Sequence, residues 1–449
     1  DLASAHGVCA CPWLPLPSLD LSAVSALSDA RQRNLLRHWL APLTRMPDSD
    51  HWAGWCDLRD AGLDAAPIWK LADGELHRAD GRLWWLSGEW LRPLDPLDLE
   101  KTTPALFLTR WFTHFCAPVF IFLAGTSAFI SGQRKSKKEL SLFLLKRGAW
   151  LILLELTVIN FFWNFDLAFH NIYFIVIWTL GISMIFLAAL IHLPVKFILL
   201  IGIVLVGAHN LLDPIHVPGN SVNAFGWALL HDQMFFSWQG KNVLVGYPVL
   251  PWIGVMALGY CFGTLFTAAY NQQKRKQMLL RIGGSAVVLF ILLRLINVYG
   301  DPVPWSQQSS PVYSFLSFIK ANKYPPSLLY ILMTLGPSIL FLAFTENIRN
   351  SVSKIVSIYG RVPMFYYLLH IFLVHVLAML AAGLFTDYSW SIWILKQPLW
   401  FAEELKGYGF SLAVVYFVWA IVVIGLYPLC KWYDQYKTKH KEKWWLSYL

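Results

Sequence analysis

After residue 95 the chain is built from apolar stretches long enough to cross a hydrocarbon core, and no other feature limits its fold as strongly. They run at about 105–131, 142–164, 168–191, 195–212, 246–270, 279–299, 327–347, 360–384 and 409–433. A helix spanning a bilayer needs roughly 18 or more such residues. Trp and Tyr crowd their ends, among them Trp111, Trp163, Tyr173, Tyr247, Trp252, Tyr299, Tyr324, Tyr427 and Trp432, where amphipathic rings sit at the lipid–water boundary. A hydrophobic share of 57%, a charged share of 14% and a mean hydropathy of +0.49 are wrong for a soluble protein. The expected fold is an all-α polytopic membrane protein with about nine transmembrane helices, preceded by a small soluble α+β fragment.

A net charge of +9 suits nucleic acid in principle, but its distribution points elsewhere. Arg134, Lys135, Lys137 and Lys138 fill one loop; Lys274, Arg275, Lys276 and Arg281 another; Arg349, Lys354 and Arg361 a third. Five lysines of the tail, Lys431 to Lys443, lie on the same side, and the alternate loops are neutral or slightly acidic. The positive-inside rule makes the basic loops and the C-terminus cytoplasmic and places residues 95–104 outside. Nucleic acid is not an expected partner of the chain as it stands. Cys9 and Cys11 form a lone C-x-C, and the other cysteines are scattered, so neither a metal site nor a disulfide frame is expected.

Residues 1–94 carry one Lys and eight Arg, whereas 95–449 carry nineteen Lys and eight Arg. Such a shift indicates separate origins. Ser25–Leu40 reads as one amphipathic helix with Ser28 as a cap and Leu35, Leu36, Trp39 and Leu40 on its apolar face. Residues 66–91 alternate around Asp73-Gly74 and Asp80-Gly81, which predicts hairpin strands. The stretches LSDARQRNLLRHWLA and LADGELHRADGRLWWL resemble the substrate-binding region of bacterial tRNA(Ile)-lysidine synthetase. That enzyme's chemistry also requires a Ser-Gly-Gly-x-Asp-Ser loop, which this sequence lacks. Arg31, Arg33 and Arg37 read as a solvated helix face, and the segment as at most a tRNA-binding remnant.

Ionisable side chains at mid-membrane depth are costly, so each is a functional candidate. His114, Glu155, His370 and His375 all fall near the middle third of their stretches; Arg110 and Arg294 lie nearer the outer face. Arg110 and His114 are spaced i,i+4 and should share a face. Pro118 removes the N–H that would bond the carbonyl of His114, so the backbone should bend there. Gly125 and Ser127 should allow close helix approach. Tyr366 and His370 are also i,i+4, with His375 turned elsewhere. An imidazole near a carboxylate at this depth suits a base or an acyl acceptor. The resulting set is His114, His370 and Glu155 as catalytic groups and Arg110, Arg294, Tyr366 and His375 as substrate-binding groups, with no metal. In the structural alternative, Glu155 pairs with Arg294 or Arg110, and Cys116 is a packed small residue.

TRWFTHFCAPVFIFLAGTSAF (109–129), LLKRGAWLILLELTVINFFWNF (144–165), YPVLPWIGVMALGYCFG (247–263), KYPPSLLYILMTLGP (323–337) and YGRVPMFYYLLHIFLVHVLA (359–378) resemble the bacterial branch of the heparan-α-glucosaminide N-acetyltransferase membrane family. The resemblance implies transfer of an acetyl or other acyl group from cytoplasmic acyl-CoA to a sugar amine or hydroxyl outside, in the bacterial inner membrane. It implies a catalytic His, best matched by His114. Acetyl-CoA or another acyl-CoA would be the co-substrate. The bilayer and a sugar-type acceptor are the expected partners, with a homodimer left open. The competing readings are a small-molecule transporter and a non-catalytic membrane protein. Relatives usually open with a further membrane helix bearing Asp-x-x-Arg-Gly, and here 1–94 stands in its place. The chain also begins with Asp, so its true start is expected to be missing. The two parts, 1–94 and 95–449, therefore read as an accidental join of coding fragments with its seam near 88–96, leaving the acyltransferase impaired or inactive.

Overall fold

The computed structural model describes residues 18–44, 52–60, 68–71, 74–79, 82–86, 99 and 102–446, with 218, 309, 387, 400–401, 403–404, 406–407, 441 and 444–445 outside the described set. The seam at 88–96, the turn residues Asp73, Asp80 and Gly81, and Cys9 and Cys11 lie outside the described residues. The chain divides into two compact units, 1–95 and 96–449.

In the first unit strand β1 (Ser18–Asp20) leads into helices α1 (Leu21–Ser25), α2 (Asp29–Leu40) and α3 (Ala53–Asp60), followed by strands β2 (Ile68–Leu71), β3 (Gly74–Ala79) and β4 (Arg82–Leu86). The strands form one antiparallel sheet in the order β1-β4-β3-β2, with Ile68 opposite His77 and Glu75 opposite Leu86. Both expected hairpins are present. The helix expected over 25–40 starts later, at Asp29: Ser25 ends the separate helix α1, which Asp20 caps through a bond from the Ala23 N–H at 3.0 Å, and the chain turns at 26–28. Ser28 holds the N-cap position of α2 but makes no side-chain cap bond. Leu36, Leu40, Leu76 and Leu83 are fully buried between helix and sheet, while Arg31, Arg33 and Arg37 are exposed as expected.

The second unit is helical, with one small sheet. Its elements are α4 (Pro104–Thr113), α5 (Cys116–Gly132), α6 (Lys137–Leu154), a π turn (Glu155–Ile159), α7 (Asn160–Asn164), β5 (Asn171–Phe174), α8 (Val176–Leu190) and α9 (Val195–Ala208). There follow α10 (Val222–Leu230), β6 (Met234–Trp238), β7 (Lys241–Val245), α11 (Leu250–Phe262) and α12 (Gln272–Ile296). The last are α13 (Pro311–Ile319), α14 (Leu328–Thr345), α15 (Ser351–Arg361), α16 (Pro363–Phe385) and α17 (Leu412–Lys439). Among the described residues six helical segments are long and apolar enough to cross a membrane: Pro104–Gly132, Val195–Leu212, Gln272–Ile296, Leu328–Thr345, Pro363–Phe385 and Leu412–Lys439. The other three expected stretches are helical too. Two of them, Val176–Leu190 and Leu250–Phe266, are shorter; the third, 142–164, is interrupted by the π turn. Apolar length alone misled at 168–174, where Asn171–Phe174 is a strand pairing parallel with β7, and β6 pairs antiparallel with β7.

Close backbone contacts set the helix positions. A Cβ on Gly125 would lie 2.1 Å from the Met256 carbonyl oxygen, and one on Gly259 2.0 Å from that of Phe122. Helices α5 and α11 therefore touch backbone to backbone, as small residues permit in lipid. Gly148 and Gly181 do the same for α6 and α8 at 2.6 and 2.7 Å. Ser127 takes no part: it is exposed, and the buried Thr126 instead donates to the Gly259 carbonyl at 2.9 Å.

Candidate functional site

The stretch expected to bend at Pro118 is broken there. Helix α4 ends at Thr113, His114 caps it in the αR conformation, and α5 starts at Cys116. Proline cannot bond the carbonyl four residues back. That carbonyl, on His114, accepts instead from the buried Tyr330 hydroxyl at 2.8 Å. His114 is 5% exposed, and its ring lies 5.4 Å from that of Tyr330. Arg110 does not share this environment: it is exposed, whereas His114 is buried. Cys116 is exposed and not packed away.

Around His114 stands a group of aromatic side chains that the residue-by-residue reading passed over. Trp252, fully buried, lies 6.5 Å from Tyr330 and 5.7 Å from Tyr247, and Tyr247 meets Tyr324 edge to face at 5.2 Å. Tyr247 is also within electrostatic reach of Tyr367, and Tyr367 of Glu155. Tyr367 packs 5.5 Å from His370, whose ring stacks on Tyr366 at 5.0 Å, as their i,i+4 spacing predicts. Tyr330, Trp252, Tyr247 and Tyr324 thus form one aromatic group beside His114, and Tyr366 and Tyr367 another beside His370. The Tyr-Pro pairs at 247–248 and 324–325 were the available sequence mark, since a turn opening a membrane helix places its Tyr at the helix mouth.

The 322–327 turn that carries Tyr324 is held from below by Asp301. Its carboxylate accepts from the Asn322 N–H at 2.8 Å, the Ser327 hydroxyl at 2.7 Å and the Val303 N–H at 3.0 Å. Burial pushes this carboxyl above the usual carboxylate range, against the pull of Arg294 and these bonds. Ser327 in turn caps α14 by accepting from the Tyr330 N–H at 3.0 Å. His209 donates to the Pro326 carbonyl at 2.8 Å, and Asn210 accepts from the Leu328 N–H at 2.9 Å.

The remaining sequence candidates have structural partners. Glu155 is completely buried and pairs with neither arginine; one carboxylate oxygen accepts the N–H groups of Ile177 and Trp178 at 2.8 and 3.0 Å, capping α8. Its other oxygen has no partner among the described residues. Arg294, 2% exposed, donates to the carbonyls of Phe318 (2.9 Å), Val303 (3.2 Å), Ser317 (3.0 Å) and Lys320 (2.5 Å). It clamps the C-terminal end of α13 and the loop before it, using four of its five guanidinium N–H groups. His375 donates to the Trp393 carbonyl at 2.8 Å and stacks on Phe165 at 4.1 Å, pinning the 390–395 segment. Among the described residues no group of three or more His, Cys, Asp or Glu could hold a metal ion.

Comparison with known proteins divides the chain as its folding units do. Residues 94–293 match the family model "Heparan-alpha-glucosaminide N-acetyltransferase, catalytic", and residues 19–84 match "TilS substrate binding domain". The chain is 67% identical over 109 residues to a tRNA(Ile)-lysidine synthase of Pseudomonas fluorescens (strain Pf0-1), covering 24% of this chain and 25% of that protein. It is 55% identical over 111 residues to a tRNA(Ile)-lysidine synthase of Pseudomonas syringae pv. tomato, covering 22% and 25%. The chain spans about a quarter of the length of these curated relatives. No solved structure matches it.

Proposed function

We propose that residues 95–449 form a membrane-bound acyltransferase that moves an acetyl or other acyl group from cytoplasmic acyl-CoA to a sugar amine or hydroxyl on the outer side. One observation carries this reading. The acetyltransferase match covers the helix break at which His114 stands among Tyr330, Trp252 and Tyr247. In the reaction the thioester C–S bond breaks and an acyl C–N or C–O bond forms, while the proton lost by the acceptor ends on the CoA thiol. His114 serves as the acyl carrier or as the base. The basic loops attract the CoA phosphates. Purified protein in vesicles should transfer radiolabelled acetyl from acetyl-CoA to a glucosamine acceptor, and His114→Ala should lose at least about 100-fold, the usual weight of a general base. Full activity in His114→Ala would remove His114 from the site. Substrate flux without CoA would favour a transporter.

Residues 1–94 are, on this proposal, a remnant of a tRNA-binding domain joined by accident to the membrane unit, which sits in the inner membrane with its C-terminus in the cytoplasm. Amplifying source DNA across the codons for residues 80–110 tests the join. A single product matching this sequence establishes the fusion. A product with a hydrophobic helix encoded ahead of Asp95 makes the membrane unit part of a longer enzyme. Alkaline phosphatase fused after Leu449 should be inactive if the terminus is cytoplasmic.

A further inference from the structure

Helix α15 links two membrane-crossing helices, α14 and α16, so it lies at one face of the bilayer. Its sequence divides cleanly around the axis at about 100° per residue. Val352, Ile355, Val356 and Tyr359 fall on one side; Ser353, Lys354, Ser357 and Arg361 fall on the other. The apolar side is left open: Val352, Ile355 and Val356 are 66%, 44% and 61% exposed, and Ile348 just before the helix is 46% exposed.

The helix is fixed in rotation, and α17 acts as a ruler for it. From the apolar side, the Tyr359 hydroxyl donates to the Val423 carbonyl. Ile358 packs with Cys430 and Tyr433. From the polar side, Arg361 donates to both oxygens of Asp434 at 2.8 and 2.7 Å. Val423 and Asp434 are eleven residues apart on one helix, about 16 Å along its axis. Val423 belongs to the apolar stretch, whereas Asp434 stands beyond it among Lys431, Lys437 and Lys439. The apolar side of α15 therefore faces the hydrocarbon and its polar side faces water.

We propose that α15 is an interfacial helix that seats on anionic lipid, with Val352, Ile355 and Val356 in the acyl region and Arg349 and Lys354 against the headgroups. The amphipathic pattern supplies the burial. The charge supplies the lipid preference, at about fivefold per basic residue near an anionic surface. The inference is independent of the chemistry at His114.

The test uses the full chain in vesicles, with single substitutions Val352→Cys, Val356→Cys and Ser357→Cys. A membrane-impermeant maleimide is added and labelling is read at each peptide by mass spectrometry, so that native cysteines do not interfere. In vesicles of phosphatidylcholine with phosphatidylglycerol, Cys at 352 and 356 should label about tenfold more slowly than Cys at 357, as expected of thiols held below the headgroups. All three should label alike after denaturation in SDS. In phosphatidylcholine alone the protection should shrink, and Arg349→Glu with Lys354→Glu should shrink it in the mixed vesicles too. Equal labelling of 352, 356 and 357 in folded protein would overturn the interfacial placement. Protection unaffected by lipid charge or by the two Glu substitutions would overturn the anionic-lipid assignment.

Discussion

Tyr330 does for His114 what a backbone amide does elsewhere in a helix. Tyr330→Phe removes the hydroxyl that donates to that buried carbonyl, and an unmet buried acceptor costs about 1–3 kcal/mol. The expected result is a lower melting temperature in micelles together with reduced acyl transfer. Glu155 offers a sharper discrimination. Gln in its place keeps an oxygen for the Ile177 and Trp178 N–H groups, so Glu155→Gln should stay within about 1 kcal/mol of the parent while Glu155→Ala loses about 1–2 kcal/mol, the scale of a lost helix cap. Full transfer activity in Glu155→Gln would restrict Glu155 to capping; loss of activity at unchanged stability would give it a chemical role. Asp166 sets a pH dependence. Burial opposes its ionisation, but the His170 N–H and ring (2.7 and 2.8 Å) and the Ala168 N–H (3.0 Å) outweigh that and hold the carboxyl below the usual range. A depressed carboxylate contributes stability above its unfolded value of about 3.9, and loses it as pH falls through the lower folded value. Thermal unfolding between about pH 5 and pH 3 should therefore fall less steeply in Asp166→Asn than in the parent.

Helix contacts were legible where they depend on composition and hidden where they depend on partners. Gly125 was readable as a close-approach site, since only a missing Cβ admits a backbone at 2.1 Å; Gly125→Leu should prevent accumulation of folded protein, whereas Gly425→Leu, with open space around it, should not. Fluorescence-detected size exclusion of the two variants distinguishes these outcomes. The break at His114 was legible because proline's missing N–H is a local fact. Arg294 and Glu155 were not, because depth in a stretch shows cost and says nothing of what meets it. Arg294 meets four carbonyls at the end of α13, and Glu155 meets two N–H groups at the start of α8. The strand at 171–174 was hidden for a related reason: a short apolar run reads alike as helix or strand, and its pairing residues lie some seventy positions away.

At the scale of the molecule, the change of composition near residue 95 coincides with the boundary between two folding units and between two family matches. Each unit is consistent with its own solvent: one buries leucines between a helix and a sheet, the other leaves broad apolar faces outward for lipid. Within the membrane unit, a buried asparagine network joins distant segments. Asn171 donates to Asn164 at 3.2 Å and to the Leu395 carbonyl at 2.8 Å, Asn160 donates to the Asn171 carbonyl at 2.8 Å, and Asn242 donates to Asn171 at 3.1 Å. The π turn at 155–159 stands immediately before this network. A π turn winds one more residue than an α turn, so it acts as a one-residue phase shift in the helix that contains it. Wound as regular α-helix with no residue removed, the same segment would bring Asn160 and Asn164 round by about 100°, away from Asn171; removing one residue among 156–158 would instead restore regular winding and keep their facing. The sheet and the 390–395 segment thus owe their common anchor to the extra residue held in this turn, and a one-residue deletion within it should be better tolerated than one in the regular helix before it.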